Sequence, residues 1–144
     1  FTPTCSSSHV PRFDQLAAVF NAHGIDEVIC LSVNDAFVMN AWKVKQKAKN
    51  STFLPYGNGE FTREMGMLVG KENLGFGLRS WRYAMVVNDK VVEEMFVEDG
   101  QIDNCATDPY VESHPEKVLA YLSEGEGEEK TYKSLSDVYA SAKK

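Results

Sequence analysis

The run Val28-Ile29-Cys30-Leu31-Ser32-Val33 hands over at once to Asn34 and Asp35, and this junction constrains the fold more than any other stretch of the chain. A short, β-branched apolar run over residues 27–33 predicts a buried strand. Asn and Asp directly after it are N-cap residues, so a helix reaching about Lys49 should follow without a long loop. A buried strand that turns straight into a helix belongs to a layered fold in which helices cover a sheet.

The flanking segments fit that architecture. Phe13, Leu16, Ala17 and Phe20 recur at helical spacing and predict a first helix from about Thr4 or Cys5 to His23, closed by Gly24. Thr52-Phe53-Leu54 reads as a short strand broken by Pro55 and Gly57, and residues 61–69 as a third helix. Glycines 70, 75 and 77 mark a loop. Residues 83–87 and 91–97 flank Asn88-Asp89-Lys90 as an antiparallel hairpin. His114 or Pro115 opens a last helix through Leu122. The order predicts an α/β fold with a mixed sheet flanked by helices over residues 1–122.

After Leu122 the chain reads Ser-Glu-Gly-Glu-Gly-Glu-Glu-Lys, which has no apolar surface to bury. Residues 123–144 are therefore read as an acidic linker and a short tail in which Leu135, Val138 and Tyr139 form a weak helical pattern. Phe1-Thr2-Pro3-Thr4 resembles the middle of a structural unit, so further sequence is expected upstream.

Of the 144 residues, 43% are apolar and 25% charged, as in ordinary soluble domains. A net charge of −6 points away from nucleic acid and anionic membranes as partners. No apolar run approaches membrane-spanning length and no secretory leader is visible. Three widely spaced cysteines, Cys5, Cys30 and Cys105, make a poor disulfide framework and fit a reducing, cytoplasmic compartment.

A thiol must ionise to act as a nucleophile, and a helix N-terminus favours the thiolate. Cys5 falls where the first helix should begin, with Thr2 one turn before it and His9 four residues after it. Arg79 and Arg82, just ahead of the strand at 83–87, supply fixed cations whose fork geometry suits a thiolate together with an incoming oxygen. The plainer reading makes Cys5 a buried structural residue and the arginines surface groups.

The segment from Phe1 to Pro11, FTPTCSSSHVP, resembles the active-site loop of the type II (atypical two-Cys, peroxiredoxin-5-like) peroxiredoxins of the AhpC/TSA-redoxin superfamily. CLSVNDAFV, beginning at Cys30 and followed by Trp42, is similar to a second block of that family, and RSWRYAMVV, beginning at Arg79, to a third. The resemblance implies a thioredoxin-like fold whose leading strands, and a proline before Phe1, are missing here. By position it makes Cys5 the peroxidatic cysteine, Thr2 the hydroxyl that orients peroxide, Arg82 the active-site arginine, His9 the neighbouring imidazole and Arg79 a second arginine. It implies a thiol peroxidase that reduces hydrogen peroxide and alkyl hydroperoxides through a sulfenic acid, with no metal or organic cofactor, and a homodimer.

Relatives differ in how the sulfenic acid is resolved. External reduction by glutathione and glutaredoxin is favoured, with thioredoxin also open; Cys30 is the next candidate and Cys105 the third. On residue grounds alone Cys30, inside an apolar strand, reads as a core cysteine.

Other uses of these residues fare less well. A phosphatase loop, Cys-x5-Arg, would need Arg at position 11, but Pro11 stands there and Arg12 is one residue late. His9, His23, His114 and the dispersed cysteines lack metal-ligand spacing. Gly75-Phe76-Gly77 is loop glycine, and Lys43, Lys45, Lys47 and Lys49 are a solvated face. Phe37, Trp42 and Trp81 read as core or interface. A redox-regulated binding or chaperone-like protein of the same fold is the rival from another class, and a cysteine hydrolase a further one.

Overall fold

A computed structural model describes residues 1–125; the tail read around Leu135, Val138 and Tyr139 lies outside the described residues. The chain becomes helical at Pro3, widens into a π-turn over Cys5–His9, and continues as α1 (Val10–Gln15) and α2 (Ala17–Ala22). The widening is visible in Val10 N–H, which donates to the Cys5 carbonyl. Pro11, which has no N–H to give, stands at the junction where the π-turn passes into α1.

The predicted first helix is thus interrupted at Leu16, which leaves helical geometry at φ −95°, ψ 9°. Tertiary bonds explain the interruption. Asp14 Oδ1 accepts from Asn50 N–H (3.0 Å) and Ser51 Oγ (2.8 Å), and its carbonyl from the Asn50 amide (3.4 Å). These bonds tie the helical segment to the start of a strand and draw a helix carbonyl out of register.

β1 (Val28–Ser32) and β2 (Ser51–Pro55) pair in parallel, with Cys30 opposite Phe53. Between them runs α3 (Ala36–Gln46), capped where the sequence predicts: Asp35 Oδ1 accepts from Val38 N–H at 2.8 Å. α3 stops at Lys47 in the left-handed conformation, φ 54°, short of Lys49. Met39 and Trp42 of α3 pack with Val10, and Cys5, Cys30 and Phe53 close around them.

The third helix is shorter than its pattern. α4 spans only Glu60–Glu64, and residues 68–70 form a strand, β3 (Leu68–Gly70), instead of its last turn. Gly66, at φ +74°, ends the helix: its N–H donates to the Arg63 carbonyl while Met67 N–H donates to Thr62. That pair of bonds is a Schellman closure. The loop predicted from the glycines also contains a 3-10 turn (Glu72–Leu74) and a further strand, β4 (Leu78–Ser80), antiparallel to β3.

β5 (Tyr83–Asn88) and β6 (Val91–Val97) form the predicted hairpin, with Asp89 and Lys90 both at positive φ in its turn. α5 (Pro115–Gly125), which runs past Leu122, lies on β5 and buries Val118 and Leu122 against Leu16, Val19, Phe20 and Val86. A separate cluster gathers Met67, Val69 and Trp81 with Met95, Val97 and Cys105 at its edge. The architecture is thioredoxin-like α/β with parallel and antiparallel pairing, carried among the described residues by three two-stranded ladders.

Candidate active site

Two residues separate β4 from β5, and alternation decides what each does. Trp81 turns into the Met67–Val69 cluster, and Arg82 faces the opposite way, toward the helical segment. The Arg82 Nη2 group donates to Cys5 Sγ at 3.6 Å. Nη2 also donates to Asp108 Oδ1 at 2.8 Å, and Nη1 to the Pro109 carbonyl. The guanidinium lies over the Tyr110 ring, 5.7 Å from its centroid.

The side chain of Arg82 is only 9% exposed. Burial alone would make it easier to deprotonate, but the sulfur of Cys5 and the carboxylate of Asp108 outweigh that and hold the cation more firmly charged than usual. A desolvated, permanently charged fork aimed at the sulfur puts a fixed positive charge and an N–H donor beside the reacting atom.

Cys5 itself sits half-buried against Val10, Met39 and Trp42. Its segment is pinned from both sides. The Trp42 indole donates to Ser6 Oγ at 2.9 Å, and Ser6 N–H donates to the Thr2 carbonyl at 2.9 Å. The second bond places Thr2 on the turn that carries Cys5.

His9 occupies the other end of the π-turn. Its Nε2 lies 3.1 Å from the Ser113 carbonyl, which only accepts, so Nε2 carries the proton and Nδ1 is the lone-pair nitrogen. Burial first, and the charge of Arg82 second, push its pKa from 6.5 to about 4. His9 is therefore a neutral ring wedged edge-on against Phe13 and Tyr110.

This has a measurable consequence. The unfolded chain takes up a proton on His9 near pH 6.5, while the folded chain resists until about pH 4. Stability is thus full above pH 6.5 and falls as the pH drops through that window, by roughly 2–4 kcal/mol in all. Urea midpoints of wild type should drop between pH 6.5 and 4.5, and His9→Gln, which can still donate to Ser113, should flatten the slope. An unchanged slope in that variant would refute the assignment.

Arg79 goes elsewhere. Its Nη1 donates to Asn34 Oδ1 (2.6 Å) and the Val33 carbonyl (3.2 Å), and its Nε to the Phe76 carbonyl. It braces the turn from β1 into α3. The sequence pairs it with Arg82, but strand register sends the two to different partners.

The other thiols differ sharply. Cys30 shares the Met39–Trp42 cluster with Cys5, and burial, aided by Cys5, pushes its thiol up to about 12. Cys105 stands on the loop after β6, with Thr107 Oγ1 3.5 Å from its sulfur. The Thr107 hydroxyl and N–H hold its thiol below the usual range.

Sequence reasoning missed Asp108, Pro109, Tyr110 and Ser113, which form a wall that holds Arg82 and His9. Asp-Pro marks a turn, yet nothing periodic in residues 103–114 announces that this turn comes back to the helical segment.

Comparisons with known proteins identify the family. The Redoxin family model matches residues 1–113. The chain is 60% identical over 122 residues to a peroxiredoxin of Rhizobium etli, covering 85% of this chain and 68% of that one. It is 56% identical over 123 residues to the hybrid peroxiredoxin hyPrx5 of Haemophilus influenzae, covering 85% of this chain but 49% of that longer one. It thus spans about two thirds of the first relative and half of the second. Among solved structures, reduced Prx3 of Vibrio vulnificus in complex with hydrogen peroxide superposes with a TM-score of 0.78 at 38% identity, covering 88% of this chain and 73% of that one.

Proposed function

The chain belongs to the peroxiredoxins, thiol peroxidases of the redoxin family, and we propose that it reduces hydrogen peroxide and alkyl hydroperoxides through a sulfenic acid on Cys5 that an external thiol removes. The observation that carries the reading is the buried Arg82 fork bonded to Cys5 Sγ.

The Cys5 thiolate attacks the nearer peroxide oxygen. The S–O bond forms as the O–O bond breaks, and the departing oxygen takes a proton and leaves as water or alcohol. Cys5 is left as –SOH, two electrons more oxidised. A reductant thiol then attacks the sulfenic sulfur, expels water and forms a mixed disulfide, and a second thiol releases Cys5 as its own disulfide forms.

Glutathione with glutaredoxin, or thioredoxin, fits the second half better than either internal cysteine. Cys30 attacks only as a thiolate, and burial against the Met39–Trp42 cluster holds its thiol up at about 12. Cys105 is the better internal alternative, since its thiol is held low and its loop continues into Asp108, the partner of Arg82. A reducing cytoplasm supplies such thiols. The exposed apolar side chains of Phe37, Leu74, Phe76 and Leu78 offer surface for a homodimer.

Mass spectrometry after one equivalent of peroxide tests this. The peptide holding Cys5 should gain one oxygen, and glutathione should convert it to a mixed disulfide. Oxygen appearing on Cys30 or Cys105 while Cys5 stays reduced would overturn the reading. A rapid Cys5–Cys105 disulfide would replace the external resolving thiol with Cys105.

A further inference from the structure

Glu98 follows β6 and stands beside Asp99 and Gly100, so in the sequence it is one more acidic turn residue. In the fold it is 2% exposed. Burying a carboxylate costs several kcal/mol unless its lone pairs are met. Here all of them are. Oε1 accepts from the N–H groups of Val111 (2.7 Å) and Glu112 (3.0 Å). Oε2 accepts from Ser113 N–H (2.7 Å) and Ser113 Oγ (2.6 Å).

Three successive amides converging on one anion form a nest. Burial pushes the Glu98 carboxyl up, but the Ser113 hydroxyl and the three amides outweigh it and hold the group below the ordinary carboxylate range. The charge is met by hydrogen bonds, with no salt bridge to a cation among the described residues.

The backbone of Glu98 is bound in the other direction. Its carbonyl accepts from the Trp81 indole at 2.7 Å, and its N–H donates to the Arg82 carbonyl at 3.3 Å. One residue thus joins Trp81 and Arg82 to the segment 111–113. The residues just before that segment are Asp108 and Pro109, which hold the Arg82 fork, and Tyr110, over which it lies. Ser113 gives its carbonyl to His9. Residues 101–114 contain no helix or strand, so ladder bonds do not place them.

We infer that Glu98 is a positioning residue for the peroxide reaction: its carboxylate fixes the 111–113 segment, and through it the wall that sets Arg82 and His9 against Cys5. The inference rests on the peroxidase reading above. Glu98 touches neither the sulfur nor the substrate; it acts through Asp108, Pro109, Tyr110 and Ser113.

Glu98→Gln keeps the shape and turns one acceptor oxygen into an NH2 group that faces N–H or O–H donors. The wall should loosen without a large change in volume. In the full chain, the second-order rate of Cys5 oxidation by hydrogen peroxide, followed by the mass of its peptide, should fall roughly ten- to a hundredfold at neutral pH. The pH profile of that rate should also change, because Arg82 and His9 would no longer be held in place beside the Cys5 segment.

A merely structural residue would lower the urea midpoint and leave the pH dependence of the folded protein alone. Val118→Ala, in the core cluster under α5, is the control with that behaviour. Should Glu98→Gln fail to fold, Ser113→Ala removes one of the four bonds and should alter the pH profile in the same sense, with about a threefold loss of rate. If the folded variants keep the wild-type rate and pH profile while wild-type Cys5 gains its oxygen, this inference is wrong and the peroxidase reading stands. If wild-type Cys5 gains no oxygen, both fall.

Discussion

Cys5→Ser is expected to bring peroxide consumption down to the uncatalysed background, a loss on the order of 10⁴-fold or more. The reason is electronic and not steric. A hydroxyl fits the space left by the thiol but stays protonated at neutral pH, and its hard oxygen is a poor nucleophile toward an O–O bond. The Arg82 fork, bonded to the sulfur at 3.6 Å, would then have nothing to activate. Stability should change little, because Cys5 is a half-buried member at the edge of the Val10, Met39 and Trp42 cluster. Peroxide disappearance with glutathione and glutaredoxin present, paired with a urea midpoint, separates the two effects. A serine variant that retained even one-hundredth of the wild-type rate would remove Cys5 from the centre of the mechanism.

What the sequence makes legible here is local. Asp35 caps α3 because an Asp before a helix has few alternatives, and the hairpin at Asp89 and Lys90 follows from strand runs split by a polar turn. Cys5 and His9 share one wide helical turn, and Arg82 comes to them because strand parity buries Trp81 on the other side. The misreading at residues 61–69 has an equally local cause. Met67, Leu68 and Val69 satisfy a helix or a strand, and only the left-handed Gly66 with its two closing bonds decides between them. The resemblance makes Arg79 a second arginine beside Arg82, and in the fold its guanidinium bonds to Asn34.

The non-local part of the site was invisible for a physical reason. Asp108, Tyr110, Ser113 and Glu98 lie on a loop and at a strand end, where neither the helical nor the strand period operates. Their placement depends on hydrogen bonds between residues such as 98 and 111–113, or 9 and 113, that no window of sequence contains. A buried glutamate in particular reads as a surface charge until its four donors are seen.

Arg82 is where the local and non-local parts meet, and its replacement should have the second largest effect. Arg82→Gln removes the cation beside Cys5, leaves Asp108 unpaired and withdraws a donor from the Pro109 carbonyl. The rate of Cys5 oxidation should fall roughly 10²–10³-fold, the loss typical of removing a preorganised charge from a reacting centre. The sulfur of Cys5 and the carboxylate of Asp108 hold Arg82 more firmly charged than usual, so the cation is present throughout the neutral range. Arg82→Lys should recover little of the rate, since an ammonium lacks the planar fork that engages Cys5, Asp108 and Pro109 together. The cost in stability should be modest, because Asp108 is 60% exposed and such a pair contributes little on its own. Arg79→Gln supplies the contrast: it should loosen the turn between β1 and α3 and leave the rate of Cys5 oxidation where it was. Rates of Cys5 oxidation for the three variants decide the matter, and an Arg82→Gln variant that kept the wild-type rate would remove Arg82 from the reacting centre.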